Sequence, residues 1–289
     1  MKFGFVTVDY RLCPEVTLGE SVHDVNDAWE YVTKGHLDPR LDSQRGIVVA
    51  ISAGGYYLMQ AGVSFQPKPF ALLDVYGIPA MTGKALDEKN TSLPEAMTTL
   101  DPLFEVTGNA LMEAMKTKKA TTGSWMDFCA ILGMPKEVWL QVGLKNGFEE
   151  TEWTNDLEMG KPMTMTDGLR AKMSPYAIYN GLLGRIVSGD GREKDNMGEE
   201  VPGAPFAERD PMRKIDNTFP PFCSVHGDSD VFVPYQYKVG LVEHLRTLVS
   251  GRQSPKLITV PGGDHMMDLM WDVETSQVLE VYEWLSALF

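Results

Sequence analysis

Three residues far apart in the chain have the types that acyl transfer requires. Ser52 ends an apolar run and is flanked by small residues, in Ala50-Ile51-Ser52-Ala53-Gly54-Gly55. Asp230 lies in His226-Gly227-Asp228-Ser229-Asp230-Val231-Phe232-Val233-Pro234, and His265 closes Pro261-Gly262-Gly263-Asp264-His265. A serine hydroxyl is a weak nucleophile at neutral pH and needs a base to take its proton. Histidine titrates near neutrality and can serve. A carboxylate then holds the imidazole in the useful tautomer and stabilises the imidazolium that forms. Asp228 is close enough to act in place of Asp230, which is the preferred acid. The other histidines compete poorly: His226 reads as a packed turn residue, and His23, His36 and His244 fall on or near helix surfaces. Asp264 and Asp268 flank His265 without a second histidine nearby, so neither a metal site nor a cofactor is expected.

These residues need elements to position them. The run Ile47-Val48-Val49-Ala50-Ile51 is apolar and rich in β-branched residues, which reads as a buried strand, and residues 56–61 continue as a helix. A strand, a sharp turn with serine at its tip and a helix make the geometry of a nucleophile elbow. The turn needs small neighbours two residues to either side, here Ala50 and Gly54, with Ala50 where a glycine is usual. The helix start also aims free N–H groups at charge developing near Ser52. A small-residue turn also arises wherever a helix packs closely on a sheet, so the reading depends on the base and the acid that follow.

Residues 3–8 read as a strand, and residues 9–15 as a turn closed by Pro14. Residues 16–34 read as a helix with Val22, Val25, Ala28 or Trp29, and Val32 on one stripe, and residues 69–76 as another strand. Alternation of strand and helix predicts a parallel sheet with helices on its faces. From residue 80 to 218 the alternation stops. There 111–118, 135–142 and 174–187 read as helices, and Met112, Met115, Trp125, Met126, Phe128 and Trp139 are interleaved. This is a helical core with flexible side chains, a soft apolar cap over a site, or both. Residues 189–214 are charged and rich in Gly and Pro, as a surface loop would be. The alternation then resumes with strand 221–226, helix 237–250, strand 256–260 and helix 275–288. The C-terminal ends of parallel strands share one edge of the sheet, where Ser52, Asp230 and His265 can meet.

At 289 residues and 43% hydrophobic, the chain can bury a large core, as one domain or a domain with an insertion. A net charge of −14 disfavours nucleic acid and anionic membranes as partners. Three cysteines without a CxxC argue against a disulfide framework. No apolar run reaches transmembrane length and no signal peptide is recognisable, so a cytoplasmic location is expected.

Taken together, the motifs resemble the hormone-sensitive-lipase-like branch of the α/β-hydrolases, a group of carboxylesterases. Asp9-Tyr10-Arg11-Leu12-Cys13-Pro14-Glu15 is similar to the family's DYRLAPE, and Ile51-Ser52-Ala53-Gly54-Gly55 to its DSAGG. The loop from His226 to Pro234 is similar to HGxxDxLVP, and Gly262-Gly263-Asp264-His265 to GxxH. The resemblance implies an α/β-hydrolase fold with a catalytic Ser52, Asp230 and His265 in the family's chain order. It also implies a core of residues 1–79 and 219–289 with a helical cap at 80–218. It favours the second aspartate of its loop, Asp230, as the acid. The family's His-Gly-Gly-Gly loop, which supplies most of its oxyanion hole, has no counterpart in the 289 residues. The Ala53 N–H is then the oxyanion donor that can be named, and loss of one such donor costs roughly 10²–10³ in rate. A sheet of about five parallel strands is expected, shortened at its N-terminal side from the family's eight. One edge is then poorly protected, and a second copy could cover it as a homodimer.

Two functions fit. One is a serine hydrolase for carboxylic esters or lactones of medium-sized apolar groups, working through an acyl-enzyme. The other is a non-hydrolytic relative, a cyclase, isomerase or small-molecule binding protein, favoured by the absent oxyanion loop. The substrate-binding residues are unknown from sequence.

Overall fold

A computed structural model describes residues 4–81, 88–101, 104–117, 165–187, 210–249 and 254–289. Four strands form the sheet among these residues: β1 (Ile47–Ile51), β2 (Ala71–Val75), β3 (Phe222–Gly227) and β4 (Lys256–Val260). They lie in the order β1-β2-β3-β4, every pair parallel, with Ile47 opposite Ala71, Leu72 opposite Phe222 and Cys223 opposite Lys256. Each is made largely of apolar residues and is ended within two residues by a glycine, a proline or the Ser52 turn; β1, expected as a buried strand, is half exposed.

The sheet has four described strands where about five were expected, because residues 4–10 form no strand. Residues 4–7 are exposed and Phe5 is 85% exposed. An alternating apolar pattern makes a strand only where a neighbour completes its ladder and covers its apolar face. The described sheet therefore has β1 at one edge, with Val49 50% and Ile51 47% exposed, and β4 at the other, while β3 between its neighbours is buried along its whole length.

Helices cover both faces. Alternate residues of a strand point to opposite sides. On one side Leu72 and Phe222 pack with Leu58 and Met59 of α2 (Gly54–Ser64), and with Leu241 and Leu245. On the other Cys223, Val225 and Ile258 meet Val281 and Trp284. The first pair of leucines belongs to a helix over Tyr235–Leu248, and Val281 and Trp284 to one over Ser276–Leu288. In chain order the described helices are α1 (Leu18–Thr33), α2, α3 (Phe104–Thr117), α4 (Met165–Asn180), α5 (Leu183–Val187), α6 (Tyr235–Leu248) and α7 (Ser276–Leu288). A capping box starts α1: the Thr17 side chain accepts the Glu20 N–H and Glu20 accepts the Thr17 N–H at 2.7 Å.

The helix expected over 174–187 is two helices, α4 and α5, parted at Gly181 with φ 66°. Pro175 suggests a helix start, yet α4 runs through it from Met165. The hydrogen bond lost at the proline is offset by packing on α3: Ala177 and Met173 join Leu111 and Met115, and the Tyr176 ring lies 4.7 Å from Phe104. The helix expected at 135–142 and residues 189–209 of the expected surface loop lie outside the described residues; residues 210–214 include a short 3₁₀ turn, Pro211–Lys214. No described helix is long and apolar enough to cross a membrane.

Candidate active site

Ser52 sits where β1 turns into α2, with φ 53°, a left-handed conformation that side-chain-bearing residues seldom adopt. Its backbone is tied to the end of β2: the Ser52 N–H donates to Val75 O at 3.1 Å, and Ile78 N–H donates to Ser52 O at 2.9 Å. The small residues around it are required by contact. A Cβ on Gly55 would lie 2.6 Å from the Gly77 Cα, and one on Gly54 3.3 Å from the Ala50 Cβ. The start of α2 thus rests directly on the backbone that follows β2. Ala53, exposed at the N-terminus of α2, presents its N–H beside Ser52.

Beneath this contact is a buried charge pair that sequence reasoning missed. Asp74 Oδ2 and Lys238 Nζ are 2.7 Å apart, both side chains almost wholly buried. Lys238 also donates to Gly77 O at 2.9 Å, and the Ser224 hydroxyl donates to Asp74 Oδ2 at 2.7 Å. The signal available was an aspartate inside the apolar run Ala71-Leu72-Leu73-Asp74-Val75.

The loops after β3 and β4 bring the other two residues in. His265 Nδ1 lies 2.8 Å from Asp230 Oδ2, and His265 Nε2 lies 2.8 Å from Ser52 Oγ. With Nδ1–H donated to the carboxylate, Nε2 is left as the acceptor for the serine hydroxyl. Asp230 Oδ1 accepts the Phe232 and Val233 amides at 2.8 and 2.9 Å. Burial by itself pushes this carboxyl's pKa up. The hydrogen bonds from His226 and His265, the His265 charge and the Val233 amide outweigh it and hold the group well below the ordinary carboxylate range. Asp228 is occupied elsewhere, accepting the Gly262 N–H at 2.7 Å, so it orders the histidine loop and does not meet the imidazole.

His226 is a strand residue, fully buried in β3, where a packed turn residue was expected. Its Nε2–H donates to Val233 O at 2.9 Å and lies 3.3 Å from Asp230 Oδ2. It therefore packs behind the acid. His23, His36 and His244 are exposed, as expected.

The imidazole of His265 is flanked by aromatic rings that sequence reasoning missed: Tyr76 at 4.6 Å and Phe232 at 5.1 Å between centroids. Nothing but their places, just after β2 and beside Asp230, could have singled them out. The positive-φ non-glycine residues among those described are Ser52, Tyr76 and Met266. All three lie at this site, and such conformations cost on the order of 1–3 kcal/mol each, so they persist where the surroundings enforce them. A separate cavity of about 350 Å³, lined by Lys68, Phe70, Thr218 and Pro221 among others, precedes β2 and β3 and so opens at the opposite edge of the sheet from Ser52. Among the described residues, no group of three or more His, Cys, Asp or Glu side chains could hold a metal ion.

No protein-family model matches the chain. An α/β-hydrolase superfamily protein from Enterococcus faecalis superposes with a TM-score of 0.54 at 16% identity, covering 97% of this chain and 76% of that one. A protein of unknown function from Staphylococcus aureus Mu50 superposes with the same TM-score of 0.54 at 13% identity, covering 97% and 75%. The chain has the α/β-hydrolase fold. Among curated proteins, the non-reducing polyketide synthase Preu6 of Preussia isomera is 28% identical over an alignment of 251 residues that covers 81% of this chain and 10% of that protein. The chain spans about a tenth of the length of that relative.

Proposed function

We propose that the chain is a serine hydrolase of the hormone-sensitive-lipase-like kind, acting on carboxylic esters or lactones of medium-sized apolar groups. The observation that carries the reading is the unbroken hydrogen-bond series from Ser52 Oγ through His265 to Asp230, 2.8 Å at each step. In the proposed reaction Ser52 Oγ attacks the ester carbonyl carbon as its proton passes to His265 Nε2. The tetrahedral oxyanion receives the Ala53 N–H. His265 returns the proton to the leaving alkoxide as the C–O bond breaks, leaving an acyl group on Ser52. Water then enters by the same steps in reverse, giving the acid and free Ser52. Asp230 stays ionised throughout and stabilises the imidazolium. Residues 80–218, with α3, α4 and α5 among them, are proposed as the cap that encloses the acyl or alcohol group.

The polyketide synthase relative favours a second reading, in which Ser52 accepts a polyketide acyl group and passes it to a hydroxyl of the same acyl chain. Such a cyclase would share the acyl-enzyme of the first reading, and so differs from the non-hydrolytic cyclase or isomerase, which would use the pocket and His265 without one.

A panel of p-nitrophenyl esters from acetate to decanoate, assayed on wild type and Ser52→Ala, tests the first reading. Wild type should turn over the middle of the panel and be labelled at Ser52 by a fluorophosphonate. The variant should lose about 10⁴-fold or more in kcat and all labelling. Undiminished turnover by the variant would sink the assignment. Release of a lactone in place of an acid from a hydroxyacyl ester would select the cyclase.

A further inference from the structure

We propose that Tyr76 and Asp268 are a positioning pair for His265: the Tyr76 hydroxyl, held by the Asp268 carboxylate, fixes the histidine loop so that one imidazole meets Ser52 and Asp230 together. This rests on the reading of His265 as the base.

The loop from Pro261 to Met270 has little regular structure to hold its histidine. Before His265 it is fastened to the loop after β3, through the Gly262 N–H on Asp228 at 2.7 Å and the Ser229 N–H on Gly263 O at 3.0 Å. After His265 the chain turns through Met266 at φ 64° into a 3₁₀ turn, Met267–Met270, that carries Asp268. There Asp268 Oδ1 accepts the Tyr76 hydroxyl at 2.5 Å. The loop is thereby tied to the sheet on both sides of the imidazole.

Tyr76 is suited to be the fixed end of this tie. Its N–H donates to Val225 O at 2.8 Å, so its backbone continues the ladder of β2 on β3. Its φ of 40° is unfavourable for an aromatic residue, and the ring it presents lies 4.6 Å from that of His265. Phenylalanine would supply the ring contact alone. A tyrosine with a buried hydroxyl needs a partner for it, and Asp268 is that partner. Burial, with the nearby Asp268 and Asp230 charges, raises the Tyr76 pKa, so the hydroxyl stays a proton donor at any working pH. Among the described residues, the groups set around the imidazole are Ser52 from the elbow, Asp230 and Phe232 from the β3 loop and Tyr76 from the end of β2, with Asp268 behind the Tyr76 hydroxyl and His226 behind Asp230.

The test is a double-mutant cycle in the full chain, read by kcat and KM on the best p-nitrophenyl ester. Tyr76→Phe should lower kcat about tenfold or more with KM changed less than about twofold, since a misplaced base slows chemistry and leaves ground-state binding alone. Asp268→Ala should match it. The double variant should be no worse than either single one, because both remove the same tie. Asp268→Asn keeps an acceptor for the hydroxyl and should remain within about threefold of wild type. Full kcat in Tyr76→Phe, or losses that add in the double variant, would overturn the pair. An activity-independent readout is the far-downfield proton resonance of His265 Nδ1–H. It should be sharp in wild type and Asp268→Asn, and broadened or lost in Tyr76→Phe and Asp268→Ala. If wild type hydrolyses no ester, the hydrolase reading fails on its own and this resonance decides the pair; an unchanged resonance in Tyr76→Phe then rejects it.

Discussion

The Asp230 carboxylate accepts two backbone amides and the His265 imidazole, with the His226 Nε2 3.3 Å from the same oxygen that meets His265. This has consequences for both stability and rate. A carboxyl whose folded pKa is depressed stabilises the fold at pH values above its unfolded pKa of about 3.9, and loses that contribution as pH falls toward the folded pKa. Asp230→Asn should therefore be clearly less stable than wild type near neutrality, and the gap should close in urea titrations carried below pH about 4. A gap independent of pH would mean that the carboxylate's charge is not what the amides and imidazoles stabilise. The same variant should lose on the order of 10⁴ in kcat, because Asn can hold the imidazole in the wrong tautomer. Since Asp230 is held well below the ordinary carboxylate range, its own protonation should not shape the pH–rate profile across the working range.

The start of α2, the backbone after β2 and the first turn of α6 meet at one point, and the Asp74–Lys238 pair lies inside it. Removing one partner leaves the other charge buried without compensation, at a cost of about 3–5 kcal/mol. Lys238→Met should lose about that much in urea unfolding, whereas Lys238→Met with Asp74→Asn should recover at least about half, since Asn still accepts the Ser224 hydroxyl without a charge. Equal losses in the two would place the defect in packing and exonerate the charge. The pair also marks how far sequence reading reaches. Runs such as 47–51, 71–75 and 256–260 announce strands because burial between helices demands continuous apolar residues and the glycines and prolines after them demand turns. Residues 3–8 carry a similar local pattern, but a strand depends on a partner that linear sequence does not display, and residues 4–7 lie exposed. Ser52, Asp230 and His265 stand out because each follows a strand and has a type suited to acyl transfer. Lys238 does not: on an amphipathic helix a lysine reads as solvated, and only the fold turns it onto Asp74. Tyr76 and Phe232 look like core, and their contact with His265 exists only once three loops converge.

The net charge of −14 acts over distances that single contacts do not. Among the described residues, Asp228 and Asp264 are exposed on the two loops that carry Asp230 and His265. A negative potential at the site would leave a neutral ester unaffected and repel an anionic one. Salt shortens the range of that repulsion, from about 30 Å at 0.01 M to about 8 Å at 0.15 M. Consider two p-nitrophenyl esters of matched length, one neutral and one ending in a free carboxylate. On passing from 0.01 to 0.15 M salt, kcat/KM for the anionic ester should rise by about three- to tenfold, while the neutral ester should change less than about twofold. The effect should reside in KM, since the potential acts on encounter and binding and leaves the Ser52 step alone. If the anionic ester is instead preferred at low salt, a cationic subsite must override the field of the whole molecule, and the apolar substrate class proposed for this site is wrong.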